Sequence, residues 1–289
     1  MSAPAGHDEA EVARLAPGLA LALPRVPHRG RTGEVRAASA GASLELHDFR
    51  HYQPGDDLRQ VDWNAVARTG ELILRVRQDE VSPRLEVLLD GSSSMALSPR
   101  KAGCAREVAL LATEVGLRQG LSPTLVVAGA RPERVQGTVC RAALRTAEFD
   151  ARDDLYAALG RLPPLRPCGL RVVVSDFLFE APLPALVSRL AQGAAALFLV
   201  QVLDAEDLEP TGGEGARLVD AESGAVLEEL LTEEVLAAYA RRLAEHQKGL
   251  QAAAVRARAG HLVAPAYQPL RALVAGPLRP LFLPEGVAA

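Results

Sequence analysis

The strongest constraint in this chain is a short apolar run, Leu85-Glu86-Val87-Leu88-Leu89, that stops directly on Asp90-Gly91-Ser92-Ser93-Ser94. A run this short and this nearly apolar is what a strand covered on both faces requires, and such strands belong to parallel sheets flanked by helices. Downstream, the rhythm of strand, loop and helix repeats. Further strands are expected at Thr124 to Ala128, Leu170 to Ser175 and Ala195 to Val202. Ser98-Pro99 opens a helix in which Cys104, Val108, Leu111, Ala112 and Val115 share one face before Gly120 ends it. Other helices are expected from Asp154-Leu155 and over Leu183 to Ala191. The alternation predicts an α/β fold with a doubly wound, mostly parallel, Rossmann-type sheet.

The flanking segments read differently. Residues 1–40 are rich in Ala, Gly, Pro and Arg without steady periodicity, which predicts a loose leader. Residues 41–80 predict a small β-rich module: an extended segment from Ser43 to Gln53, then a turn at Gln53-Pro54-Gly55-Asp56. Asp56 would cap a short helix running to about Val66, and Glu71 to Arg77 alternates as a strand. The main domain, 81–289, ends with a hairpin over Ala216 to Leu227 and a long helix from Thr232 to Ala259, with Tyr239, Leu243, His246 and Leu250 on one face. His246 is expected to be a packed histidine. Pro265, Pro269, Pro277, Pro280 and Pro284 predict an extended tail.

Charge and cysteine usage narrow the function. A net charge of -4, with only Arg25 to Arg36 locally basic, argues against neutralising a nucleic-acid backbone. Cys104, Cys140 and Cys168 are far apart and form no C-x-x-C pair, so neither a disulfide framework nor a zinc site is expected. The longest apolar run, Gly193 to Leu203, is about half of what a membrane span needs. The N-terminus lacks the basic head and unbroken apolar core of a signal peptide. A cytoplasmic protein with no membrane span follows as the expectation.

In an open parallel sheet, ligands bind beyond the carboxyl ends of the strands, where Asp90 and Asp176 both fall. Asp90, Ser92 and Ser94 supply one carboxylate and two hydroxyls on one tight loop, all oxygen donors suited to Mg²⁺ or Mn²⁺. Asp176, after Val172-Val173-Val174-Ser175, would add a second carboxylate from a neighbouring strand. Two carboxylates only neutralise a divalent ion, which then retains affinity for one more anion from a partner.

Asp90-Gly91-Ser92-Ser93-Ser94-Met95 resembles the metal-ion-dependent adhesion site of von Willebrand factor A domains. Upstream, Tyr52-x-Pro54-Gly55-Asp56-Asp57-x-Arg59-x-Val61-Asp62-Trp63, followed by Ala67-Arg68-Thr69-Gly70, is similar to the bacterial family called domain of unknown function 58. The similarity runs through Ser175-Asp176-Phe177 and the Leu218 to Gly224 hairpin, covering roughly residues 40 to 260. It implies a von Willebrand A-like fold and a non-enzymatic adaptor that binds a protein partner, a MoxR-type AAA+ ATPase, in the maturation or assembly of other proteins.

One position departs from that pattern: Asp153 stands where the family carries a neutral, metal-ligating threonine. If Asp153 ligates, three carboxylates meet one ion and an acidic partner is disfavoured; if it points elsewhere, the adhesion chemistry survives with one ligand fewer. The upstream block also has two readings. Asp56, Asp57, Arg59, Asp62 and Trp63 could form a partner surface, or Trp63 could pack the small module while Arg59 pairs with a carboxylate. Two other functions stay open: a metal-free scaffold of the same fold, and a metal-dependent hydrolase, although H-E-x-x-H, G-x-S-x-G and a phosphate-cradling glycine loop are all absent.

Overall fold

A computed structural model describes residues 9–23, 48–51, 61, 63–76, 84–162, 164–210, 216–219, 226–229 and 232–286. The chain divides into two compact units, residues 1–36 with 83–289, and residues 37–82.

The larger unit begins with helix α1 (Glu9–Leu15), a single 3₁₀ turn and strand β1 (Leu19–Leu21). The expectation of a loose leader therefore needs correcting for 9–23. Val12, Ala16 and Leu21 are buried in the main core, and Pro17 occupies the first turn of the 3₁₀ segment, where its missing N–H costs nothing. The smaller unit contains the antiparallel strands β2 (Asp48–His51) and β3 (Ile73–Val76), with helix α2 (Trp63–Thr69) between them in sequence. Gly70 ends α2 with φ of 74°, donating its N–H to the Val66 carbonyl. The part of the expected capped helix at residues 56–60 and 62 lies outside the described residues.

The sheet of the larger unit is built from β4 (Arg84–Asp90), β5 (Ser122–Ala128), β6 (Glu133–Gln136), β7 (Cys168–Ser175), β8 (Ala194–Leu203) and β11 (Gly260–Pro265). Its order is β11-β8-β7-β4-β5-β6, parallel throughout except for the antiparallel edge pair β5 and β6. Helices α3 (Pro99–Arg118) and α4 (Val139–Thr146) follow β4 and β6, and α5 (Leu155–Arg161) leads into β7. Next come α6 (Leu183–Ala191), α7 (Ala205–Leu208), the antiparallel pair β9 (Ala216–Val219) and β10 (Val226–Glu229), and α8 (Glu233–Arg256). This is a mixed α/β unit with a mostly parallel, Rossmann-like sheet.

The two-residue period of the strands explains their continuous apolar sequence. Leu85, Val87 and Leu89 enter one buried cluster while Leu88 enters another; Val172 and Val174 likewise oppose Val173. The first cluster is covered by α1, α3 and α4, the second by α5, α6 and α8.

The tail expected to be extended instead folds back. Pro269 precedes helix α9 (Leu270–Ala275), strand β12 (Phe282–Pro284) pairs with β1, and Leu270, Leu273, Leu278, Leu281 and Phe282 are buried. Proline at a helix start presets the backbone rather than breaking it. Among the described residues, no helix is long and apolar enough to cross a membrane.

Candidate functional site

After β4 the chain crosses to β5 on one side, and later returns to β7 on the other. The topological switch point therefore lies between the carboxyl ends of β4 and β7, which pair in parallel up to Leu89 opposite Val174. Asp90 ends one strand and Ser175-Asp176 ends the other.

Asp90 is completely buried. Its Oδ1 accepts from the Ser92 N–H at 2.9 Å and its Oδ2 from the Ser175 hydroxyl at 2.6 Å, while the Ser175 oxygen accepts from the Phe177 N–H at 3.0 Å. The Ser92 and Ser94 hydroxyls lie 3.0 Å apart on the same loop. That loop is clamped to the second one: Ser93 N–H donates to the Ala151 carbonyl at 2.9 Å, and Ala151 N–H to the Gly91 carbonyl at 3.0 Å. Gly91 has to be glycine for space, because a Cβ there would stand 2.6 Å from the backbone Cα and N of Gly129. Gly91→Ala is expected to cost about 1–3 kcal/mol, since only main chain can give way, and urea denaturation checks it.

Asp176 is equally buried, at 1% exposure. Its backbone is held from several sides: its N–H meets the Met95 sulfur at 3.1 Å, and Gln201 Nε2 donates to its carbonyl at 2.9 Å. Phe177, the next residue, adopts φ of 53°, uncommon for a bulky side chain. His246 Nε2 donates to the Phe177 carbonyl at 2.6 Å, and His261 Nε2 to Gln201 Oε1 at 3.1 Å. The histidine expected to be merely packed therefore braces the turn that presents Asp176.

The side chain of Asp176 faces a residue that the sequence pattern did not single out. Lys101, from the first turn of α3, is 1% exposed, with Nζ 2.8 Å from Asp176 Oδ2 and 3.0 Å from Asp207 Oδ2. It also donates to Asp207 Oδ1 at 3.3 Å. The contact with Asp176 Oδ2 is an ion pair by distance, but no donor is aligned on that oxygen as a hydrogen bond. Asp176 Oδ1, by contrast, accepts from the Leu178 N–H at 3.0 Å. Asp207 is fixed by its own capping box, accepting from the Asp204 N–H at 2.8 Å.

These charges act on one another. Burial, and then the nearby Asp176 charge, push the Asp90 carboxyl up to about 6, against the pull of the Ser175 and Ser92 hydrogen bonds. Burial works to deprotonate Lys101, but the charges of Asp176 and Asp207 together outweigh it and hold the ammonium above the usual lysine range.

Asp153, by contrast, is about half exposed and forms an ion pair with Arg161 of α5. Its neighbour Asp154 caps that helix, accepting from the Ala157 N–H at 2.7 Å. Two of the candidate carboxylates, Asp90 and Asp176, thus lie buried near one another, and Asp207, 15% exposed, is joined to Asp176 through the Lys101 ammonium. Asp90, Ser92, Ser94 and Asp176 are the residues that could hold a hard cation. Among the described residues, no group of three or more His, Cys, Asp or Glu side chains is arranged to hold a metal. The upstream candidates Asp56, Asp57, Arg59 and Asp62 lie outside the described residues. Trp63 is 63% exposed and so does not pack the small unit's core.

A Rossmann-like sheet with helices on both faces and a buried cluster of carboxylates and hydroxyls at its switch point defines the class: an α/β protein whose polar centre lies where such folds bind ligands. The chain belongs to the protein family of unknown function DUF58, whose model matches residues 48–249. It is 32% identical over 231 residues to uncharacterized protein Mb1516 of Mycobacterium bovis and to uncharacterized protein Rv1480 of Mycobacterium tuberculosis, covering 72% of this chain and 70% of each relative. Among solved structures it is similar to the conserved hypothetical protein BatB of Bacteroides thetaiotaomicron, with TM-score 0.38, 12% identity, and coverage of 67% of this chain and 94% of that one. An aerotolerance-related membrane protein of Bacteroides fragilis matches with TM-score 0.34, 15% identity, and coverage of 67% and 96%. Likenesses at this level carry no functional argument.

Proposed function

We propose that the chain is a non-enzymatic protein-interaction adaptor of the von Willebrand factor A-like kind, holding Mg²⁺ or Mn²⁺ through Asp90, Ser92, Ser94 and Asp176. The observation that carries this reading is the pairing of two hydroxyls 3.0 Å apart with two buried carboxylates at the switch point of the sheet. A buried carboxylate whose pKa is pushed up to about 6 by its surroundings is one that a cation would relieve. When bound, the ion would offer a coordination position to an acidic side chain of a partner. The ion pair of Asp153 with Arg161 supports this, because the ion would then meet two candidate carboxylates and not three. The partner class that the family resemblance points to is a MoxR-type AAA+ ATPase, met in the cytoplasm.

Calorimetric titration with Mn²⁺ is expected to give saturable heat with the wild type and at least about tenfold weaker binding with Asp90→Ala, since even outer partners of a metal are worth that much. Equal heats from the two proteins would sink the reading. A metal-free scaffold is the second reading, and the observation favouring it is the Lys101 ammonium beside Asp176.

A further inference from the structure

The Lys101 side chain has an unusual setting for a lysine at the start of a helix. Its backbone is fixed, since the Lys101 N–H donates to Ser98 Oγ at 3.0 Å and that hydroxyl donates to Asp204 Oδ2 at 2.5 Å. Its ammonium is dry and divides itself between Asp176 Oδ2 and both oxygens of Asp207. Asp176 and Asp207 thus share one built-in positive charge, while Asp90, beside Asp176, has no such partner among the described residues. Asp176 Oδ1 already accepts from the Leu178 N–H, whereas Oδ2, the oxygen facing the ammonium, lacks an aligned hydrogen-bond donor and is the one left for an ion.

We propose that Lys101 is an internal cation that competes with divalent ions for Asp176, and that Asp207 sets the balance by drawing the ammonium away. This rests on the reading of Asp90 and Asp176 as an ion site. With the ammonium held by Asp207, Asp176 is available to an ion; with Asp207 neutralised, the ammonium turns wholly to Asp176. Lys101 is a positioning residue in this scheme, since it tunes the site through Asp176 without being a ligand itself.

The two residues therefore have opposite effects, which a merely structural role would not produce. Mn²⁺ titration of the full-length chain, by calorimetry and by electron paramagnetic resonance of free Mn²⁺, is expected to show Lys101→Met binding at least about tenfold more tightly than wild type, and Asp207→Asn about tenfold more weakly. Arg100→Gln removes the same charge one residue away from a half-exposed side chain and is expected to shift the Kd by less than about twofold, which separates contact from general electrostatics.

Circular dichroism verifies that each variant is folded. Should Lys101→Met fail to fold, Asp207→Asn decides alone, and unchanged or tighter binding there overturns the proposal. Weaker or unchanged binding in a folded Lys101→Met also overturns it. If Asp90→Ala abolishes Mn²⁺ binding while Lys101→Met and Asp207→Asn leave it unmoved, the ion site stands and the competition fails. If neither wild type nor Lys101→Met binds Mn²⁺, the ion site itself falls.

Discussion

Asp90→Asn should make the metal-free protein more stable at neutral pH, by roughly 3 kcal/mol, and, on the proposed ion site, should abolish stabilisation by Mg²⁺. The Asp90 carboxyl is raised from 3.8 to about 6 in the folded chain. Between those values the folded protein keeps a proton that the unfolded chain has released. The associated stability is fully present below the unfolded value and is lost as the pH rises through 6. At pH 7.5 the buried carboxylate is ionised in both states, and the shift of about two units corresponds to roughly 3 kcal/mol of lost stability.

An asparagine keeps the acceptor for the Ser92 N–H and can donate to the Ser175 oxygen, which already accepts from Phe177. Urea unfolding in chelator should therefore give equal stabilities near pH 4 and a growing advantage for Asp90→Asn up to pH 7.5. Adding Mg²⁺ should stabilise the wild type only, because binding to the folded state alone adds to its stability. A variant less stable than wild type at pH 7.5 would mean that the carboxylate is a structural acceptor and not a group held ready for a cation.

Much of this arrangement is legible in the chain itself, and the gaps have physical causes. Leu85 to Asp90 and Val172 to Asp176 announce both walls of the site, because a short apolar run ending in an acid fits the carboxyl end of a doubly covered parallel strand and little else. The N-terminal helix and the folded tail were hidden by Pro17 and Pro269, which here begin turns instead of breaking structure. Strand β11 was missed because the helical pattern of α8 runs almost into it, and its pairing with β8 spans some sixty residues of sequence.

Lys101 escaped notice because Ser98-Pro99-Arg100-Lys101 looks like a solvated basic helix start. Yet Lys101 stands three residues before Cys104 and seven before Val108, on the apolar stripe. Gln201 inside the apolar run of β8 and His246 on the apolar face of α8 have the same signature, and both brace the Asp176 turn. A polar side chain set into an apolar pattern was the signal available for the residues around this site. What no pattern supplied was Asp207, whose meeting with Lys101 depends on how β8 delivers α7.

Arg171→Met should be the most damaging substitution away from the site, costing about 3–5 kcal/mol. Arg171 is wholly buried, with Nε 2.6 Å from Glu86 Oε2, and it donates to the carbonyls of Leu190, Gln192 and Arg166. It thereby ties β7 to β4 and to the carboxyl end of α6, where a cation also meets the negative end of the helix dipole. Removing it takes a donor from three carbonyls, of which the Leu190 contact is buried, and leaves Glu86, 2% exposed, as a buried charge. The remaining help is thin: Arg134 Nη2 lies 3.8 Å from Glu86 Oε1, and no donor is aligned on that oxygen.

Most of the penalty is thus the uncompensated Glu86 charge and not the lost attraction, which makes the cost recoverable. Combining Arg171→Met with Glu86→Met should restore a large part of it, with a coupling of at least about 2 kcal/mol in a double-mutant cycle of urea midpoints. Glu86 lies four residues along β4 from Asp90, on the order of 13 Å away, so on the proposed ion site folded double mutants should match the wild type in an Mn²⁺ titration. A single Arg171→Met that costs under about 1 kcal/mol would mean that Glu86 reaches water once its partner is gone.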